Sequence, residues 1–251
     1  MTNYIQLVYL YGHPLFPGLN SSDIFRTVYL LSYCGENNLL CRSIDNPLVD
    51  PEKIERLLRL GNKSHTKRFM QKLIDNRILF KEDGKYYISD ECCVRQRMSY
   101  EEQQDIYRDK NIQCRVYRGA VRQLYNYCHD NKNVVSTGTV FKLLPYCHRT
   151  TNVICSNPTE EDLYRVHPLS IREMAEELDI TRRGIDHVRE TMTLPVLDGE
   201  PVWGEDARNK IYWINPKLAQ AGIHTSSPLE LIRRIGRYEP NITTRNMSIL
   251  Q

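Results

Sequence analysis

A mostly α-helical chain with small β wings, an α+β class made of one module used twice, is what the sequence predicts, and three observations predict it. Leu30-Leu31-Ser32-Tyr33-Cys34 is followed by Cys41 and Asn46-Pro47, and Leu143-Leu144-Pro145-Tyr146-Cys147 is followed by Cys155 and Asn157-Pro158. After each copy come a short amphipathic stretch, a turn and a second helical stretch rich in basic residues. Each copy then closes on apolar runs split by a polar turn. Self-similarity of this kind marks a repeated structural unit. Helix, helix, basic helix, hairpin is the order of a winged helix, so the expected fold is two winged-helix (helix-turn-helix) domains in tandem.

The elements follow in order. Tyr4 to Tyr11 reads as a strand broken by Gly12 and Pro14. Asp23 to Tyr33 carries Ile24, Phe25, Val28 and Leu31 at helical spacing, with Ser22 or Asp23 as N-cap. Pro51 opens a helix with Ile54, Leu57 and Leu58 on one face, and Gly61-Asn62 ends it. Ser64 is placed to cap the next helix, whose inner face is Phe69, Leu73 and Ile74. Ile78-Leu79-Phe80 and Tyr86-Tyr87-Ile88 flank Asp83-Gly84, a strong hairpin signal. These elements make residues 1–90 the first winged-helix domain, with its module from about Ser21 to Asp90.

Residues 91–131 read as a basic helical connector: Ser99 to Glu102 forms a capping box, Gly119 to Tyr127 is helical, and Arg95, Arg97, Arg108, Arg115, Arg118 and Arg122 supply charge. Residues 132–222 are the second winged-helix domain. Its first helix is expected at Val140 to Tyr146. Ser170 to Glu173 is a capping box ahead of Ile171, Met174, Ala175 and Leu178, and Thr181 caps a helix with Ile185, Val188 and Met192 inward. Leu194 to Leu197, Val202-Trp203 and Ile211 to Ile214 read as strands, with a wing tip at Gly204 to Asn209. Residues 223–251 are expected to hold a short basic helix from Ser227-Pro228, with Arg233 and Arg234, and a polar tail.

The 251 residues are 41% hydrophobic and 26% charged, enough apolar material for real cores. The net charge of +3 decides little, because DNA affinity depends on where cations cluster. No signal peptide and no membrane span are read from the sequence, so the chain is expected to be cytoplasmic with reduced cysteines and no membrane partner.

A helix-turn-helix needs a small residue in its first helix, apolar anchors at the turn and a capped second helix with a polar outer face. Ala175, Leu178, Ile180, Thr181, Ile185 and Val188 meet these demands, and Arg182, Arg183, Asp186, His187 and Glu190 then point outward to read DNA. Arg208 and Lys210 join them from the wing. In the first module His65, Lys67, Arg68, Gln71 and Lys72, with Lys85 on the hairpin, form a more basic face suited to phosphate. A structural helical hairpin and a dimerisation module are the competing readings of the two halves.

The cysteines recur as Cys34/Cys41 and Cys147/Cys155, but no Cys-x-x-Cys and no closely spaced histidine pair accompanies them. They are read as buried core thiols, with no metal and no cofactor. No Gly-x-x-x-x-Gly-Lys, Gly-x-Ser-x-Gly or His-Glu-x-x-His motif is present, so the chain is not expected to be an enzyme.

The run from Leu143 to Cys147, through Cys155-Ser156-Asn157-Pro158 to Ile214-Asn215-Pro216, resembles winged-helix proteins of phages and plasmids of Gram-positive bacteria. Tyr11-Gly12-His13-Pro14-Leu15-Phe16 with Tyr29-Leu30-Leu31 resembles the start of phage replication-organiser proteins, and the tandem arrangement is similar to plasmid replication initiators. The resemblance implies sequence-specific binding of double-stranded DNA in a mobile element. The expected role is transcription regulation; origin recognition in replication and interaction with a host protein are the alternatives. A homodimer is open to it.

Overall fold

Among the described residues, each half of the chain begins and ends on a strand. The computed structural model describes residues 4–10, 12–43, 46–48, 50–94, 111–130, 133–193 and 195–222. The first half runs β1 (Tyr4–Leu10), α1 (Ser21–Leu31), β2 (Cys41–Ser43), β3 (Asn46–Pro47), α2 (Pro51–Leu58), α3 (Lys63–Asp75), the hairpin β4 (Leu79–Glu82) and β5 (Lys85–Ile88), and β6 (Cys93–Val94). The second runs β7 (Asn111–Tyr117), α4 (Arg118–Asp130), α5 (Val134–Lys142), α6 (Ile171–Glu177), α7 (Arg182–Met192), a small hairpin β8 (Pro195–Leu197) and β9 (Glu200–Pro201), the hairpin β10 (Trp203–Asp206) and β11 (Ile211–Ile214), and β12 (Ala219–Gln220). The class is mixed α/β with small antiparallel sheets, in keeping with the α+β expectation.

The outer strands of the two halves join in one antiparallel sheet of order β12-β7-β1-β6. Its register carries an internal two-fold. Leu7 pairs with Cys93 as Val116 pairs with Ala219, and across the centre Leu7 faces Cys114 as Val116 faces Ile5. The axis passes through the facing pair Gln6 and Arg115.

Main-chain hydrogen bonds repeat in the same way. Cys41 N donates to Tyr33 O (3.0 Å) and Cys155 N to Tyr146 O (2.8 Å); Leu40 N donates to Tyr86 O (2.9 Å) and Ile154 N to Tyr212 O (2.8 Å). Leu48 N and Leu169 N reach back to Leu40 O and Ile154 O, each at 2.9 Å. Asn38 and Asn152, both buried with positive φ (56° and 59°), send their side-chain amides to Cys93 O and Ala219 O. The repeat visible in five residues around Tyr33 and Tyr146 therefore extends across both halves.

The halves share a core through their first helices. Phe25 of α1 stacks on Phe141 of α5 (5.6 Å, 23°), and both are fully buried. Gly138 brings the backbones together: a methyl group there would overlap the carbonyl of Ser21. Phe25 stands as far before Cys34 as Gly138 before Cys147, so the two-fold is broken at this point: the position that carries a buried ring in α1 carries no side chain in α5, where the Ser21 main chain comes close. Helix α4 has no counterpart in the first half among the described residues, and it staples the halves further. Tyr125 stacks on Tyr29 (3.7 Å) and donates to Leu58 O (2.7 Å). Arg118 and Arg122 both donate to Ser32 O (2.6 and 2.7 Å), and the Arg122 guanidinium lies over Tyr33.

Several expected details differ. The residues read as a helical connector include β6 and β7 before α4; the Ser99–Glu102 capping box and the basic helix after Ser227 lie outside the described residues. Helix α5 starts at Val134 rather than Val140, and a 3₁₀ turn covers Leu144–Tyr146. The caps of α1 and α3 are Asn20 and Asn62, whose side chains accept from Asp23 N and Ser64 N, rather than Ser22 or Asp23 and Ser64. All eight cysteines are free, and all but Cys92 are buried. Burial pushes the Cys114 and Cys155 thiols up to about 12.

Replacing Gly138 with Ala forces α1 and α5 apart. Thermal unfolding should register a loss of about 1–3 kcal/mol or more, the usual range for overpacking where backbone must move. A variant as stable as the parent would contradict the close crossing.

His148 supplies a pH dependence. It is fully buried, donates from Nε2 to Glu160 O (2.8 Å) and accepts at Nδ1 from Thr150 N and the Thr151 hydroxyl. Burial holds its pKa below the ordinary 6.5, so the folded state binds this proton less readily than the unfolded chain. Its contribution is complete above pH 6.5 and is lost as pH falls below that value. Between about pH 7.5 and about pH 5.5 the melting temperature should fall less in His148→Gln than in the parent; equal falls would count against the buried neutral imidazole.

Candidate nucleic-acid interface

Helices α3 and α7 occupy equivalent places, each entered through a tight turn from the helix before it. Ahead of α7, Leu178 closes α6, Asp179 takes positive φ (50°) and Ile180 N returns to Ala175 O (3.0 Å). The Ser170–Glu173 capping box starts α6, as expected, and Thr181 Oγ1 caps α7 by accepting from Gly184 N (3.1 Å). Ile185, Val188 and Met192 are buried as expected, with Thr191 beside them. That anchoring fixes which side chains face outward.

On α7, Arg182, Arg183, His187 and Glu190 are exposed. Asp186 is only partly exposed and sits between Arg182 (3.9 Å) and Arg189 (3.8 Å). Arg189 also approaches Glu205 on β10 (3.7 Å), coupling the helix to its hairpin. Asp186 is therefore part of an ion-pair network rather than an open acceptor. Arg189 was not among the residues expected to matter, and no local signal pairs it with Glu205. At the hairpin tip the Asp206 carboxylate accepts from Arg208 N, Asn209 N and Asn209 Nδ2 (3.1, 3.2 and 2.7 Å), which folds the turn and leaves Arg208 and Lys210 exposed.

On α3, His65, Lys67, Arg68 and Gln71 are exposed and the first turn holds no acid. Gln71 donates to Asp75 (2.8 Å). Lys67, Arg68 and His65 have no ion-pair partner among the described residues. Lys72 does: its Nζ lies 2.7 Å from Asp23 of α1, so it holds α3 to α1 instead of standing open. Lys63 pairs with Glu52. Lys85 is exposed on β5, across from Glu82. The structure thus keeps Lys67, Arg68, Arg183 and His187 open, and places Lys72, Asp186, Arg118 and Arg122 in internal contacts.

No protein-family model, curated protein or solved structure matches the chain. No helix among the described residues is long and apolar enough to cross a membrane. No cluster of metal-ligating side chains is found among them.

Lys72 and its neighbours separate two kinds of cation. Lys72→Ala should lower stability by up to about 1 kcal/mol, the scale of a partly exposed pair. Lys67→Ala and Arg68→Ala should leave the melting temperature unchanged. Equal falls in stability at all three positions would contradict the division.

Proposed function

We propose that this chain is a tandem winged-helix protein that binds double-stranded DNA sequence-specifically, with α3 and α7 as recognition helices and the β4–β5 and β10–β11 hairpins as wings. The observation that carries the reading is that both equivalent helices carry exposed cations on their outer faces: Lys67 and Arg68 in the second turn of α3, Arg182 and Arg183 in the first turn of α7. Guanidinium groups at the start of a capped helix suit base edges, and the more basic α3 suits phosphate. The internal two-fold supports a site of two inverted halves read by one chain, since operator symmetry mirrors protein symmetry. The halves of that site differ in sequence, because the outward residues of α3 and α7 differ. A role as transcription regulator of a mobile element rests on the resemblance carried by the Tyr-Cys segments.

Selection from a random duplex pool, followed by anisotropy titrations over several salt concentrations, tests this. Arg182→Ala with Arg183→Ala should relax base preference, at about 1–3 kcal/mol for each base-edge interaction removed. Lys67→Ala and Arg68→Ala should weaken binding to all duplexes alike and flatten the salt slope by about 1 for each phosphate no longer neutralised. No enriched sequence together with an unchanged salt slope would remove the reading.

A further inference from the structure

The two hairpins differ in what covers them. In each half a short stretch bridges the hairpin's second strand, Leu39 to Tyr87 and Val153 to Trp213, giving a small sheet with an inner and an outer face. The inner faces enter the shared core through Leu79, Tyr86 and Ile88, and through Trp203, Tyr212 and Ile214. In the second half the outer face is covered as well. Leu163 and Val166, on the link between the bridging stretch and α6, pack on Val153, Cys155 and Ile211 in a separate small core, with Trp213 against it. His148 to Glu160 O and Arg149 to Glu161 (2.8 Å) hold that cover down. Trp213 lies flat over Gly204, where any side chain would collide with its ring.

The first half has a much shorter link, Cys41 to Leu48 against Cys155 to Leu169, between points fixed by the same hydrogen bonds. At the place of Gly204 it carries Phe80, which is 46% exposed and stacked on Tyr87 (5.4 Å, 14°). Leu39 is partly exposed beside them. By strand alternation Glu82 and Lys85 share this face with Phe80 and Tyr87. Among the described residues, β4 pairs with β5 alone.

We infer that this outer face, Leu39, Phe80 and Tyr87 with Glu82 and Lys85, is the contact through which two copies of the chain associate about a two-fold axis. The second half supplies the precedent for the chemistry: the equivalent face takes apolar protein side chains. The charges choose the occupant. One carboxylate and one ammonium side by side are self-complementary, since a two-fold brings Glu82 of each copy toward Lys85 of the other. A phosphate backbone would meet the acid as much as the base. The patch is small, which sets a weak and concentration-dependent association.

Sedimentation velocity on the full chain, from about 1 µM to about 1 mM, spans the range in which such an interface dissociates. The average mass should climb from monomer toward dimer. Phe80→Ser should hold it at monomer with only a small fall in melting temperature, because nearly half of the side chain is exposed and its main contact is the Tyr87 ring. Lys85→Glu should weaken association by placing like charges together, and adding Glu82→Lys should restore it. A chain that stays monomeric throughout, or a dimer indifferent to Phe80→Ser, overturns the inference. Weaker duplex affinity in Phe80→Ser without any self-association would assign the face to nucleic acid instead; a failure of Arg182→Ala with Arg183→Ala to bind duplex bears only on the recognition helices.

Discussion

The main-chain contact between Gly138 on α5 and Ser21 on α1 sets the distance between the two halves, and most of the remaining architecture depends on that distance. It lets Phe25 and Phe141 stack in a buried interface, an arrangement worth about 0.5–1.5 kcal/mol beyond area burial. The same approach lets β1 and β7 pair along their full length, with Gln6 and Arg115 on the axis. The result is one large core cluster with members from Ile5 to Ala221, drawn from both halves. A duplication that kept Phe at both positions would have kept the helices further apart. The asymmetry of Phe25 and Gly138 is what allows two similar units to become one packed body.

A modest formal charge is sorted by this packing into two kinds of cation. Arg118 and Arg122 are turned onto the carbonyl of Ser32, Lys72 onto Asp23, and Arg189 onto Asp186 and Glu205. These contacts join helices to helices and a helix to its hairpin. Lys67, Arg68 and Arg183 stay open on the outer faces of α3 and α7, while Arg42, Arg77, Lys85 and Lys210 are exposed elsewhere on the surface. Burying apolar residues on one side of each helix is what turns the helix cations outward, where phosphate neutralisation can act.

Local signals in the sequence were enough for α2, α6, α7 and the β4–β5 hairpin, because Pro51, the Ser170–Glu173 box, Thr181 and Asp83-Gly84 act within a turn of where they stand. Elements fixed by distant partners were not legible. The stretch Val134-Val135-Ser136-Thr137-Gly138-Thr139 is a poor helix former, and it is helical because its residues pack on α1 and α7. Cys114 and Val116 alternate as a strand would, yet only pairing with β1 gives them a place, and the basic neighbours suggested a helical connector. Of the candidate site, the outward faces of α3 and α7 were readable from helical spacing. The capture of Lys72 by Asp23 was not, since the partner is on another helix.

The central claim is that the two halves share one core and unfold together. Both tryptophans, Trp203 and Trp213, lie in the second half, so their fluorescence reports that half alone. Amide exchange in α3 and β5 reports the first. Urea titration of the full chain with both readouts is the direct measurement. Coincident midpoints are the result predicted by a core built across α1 and α5. Disappearance of the native tryptophan signal while α3 and β5 amides stay protected, or the reverse, would contradict it.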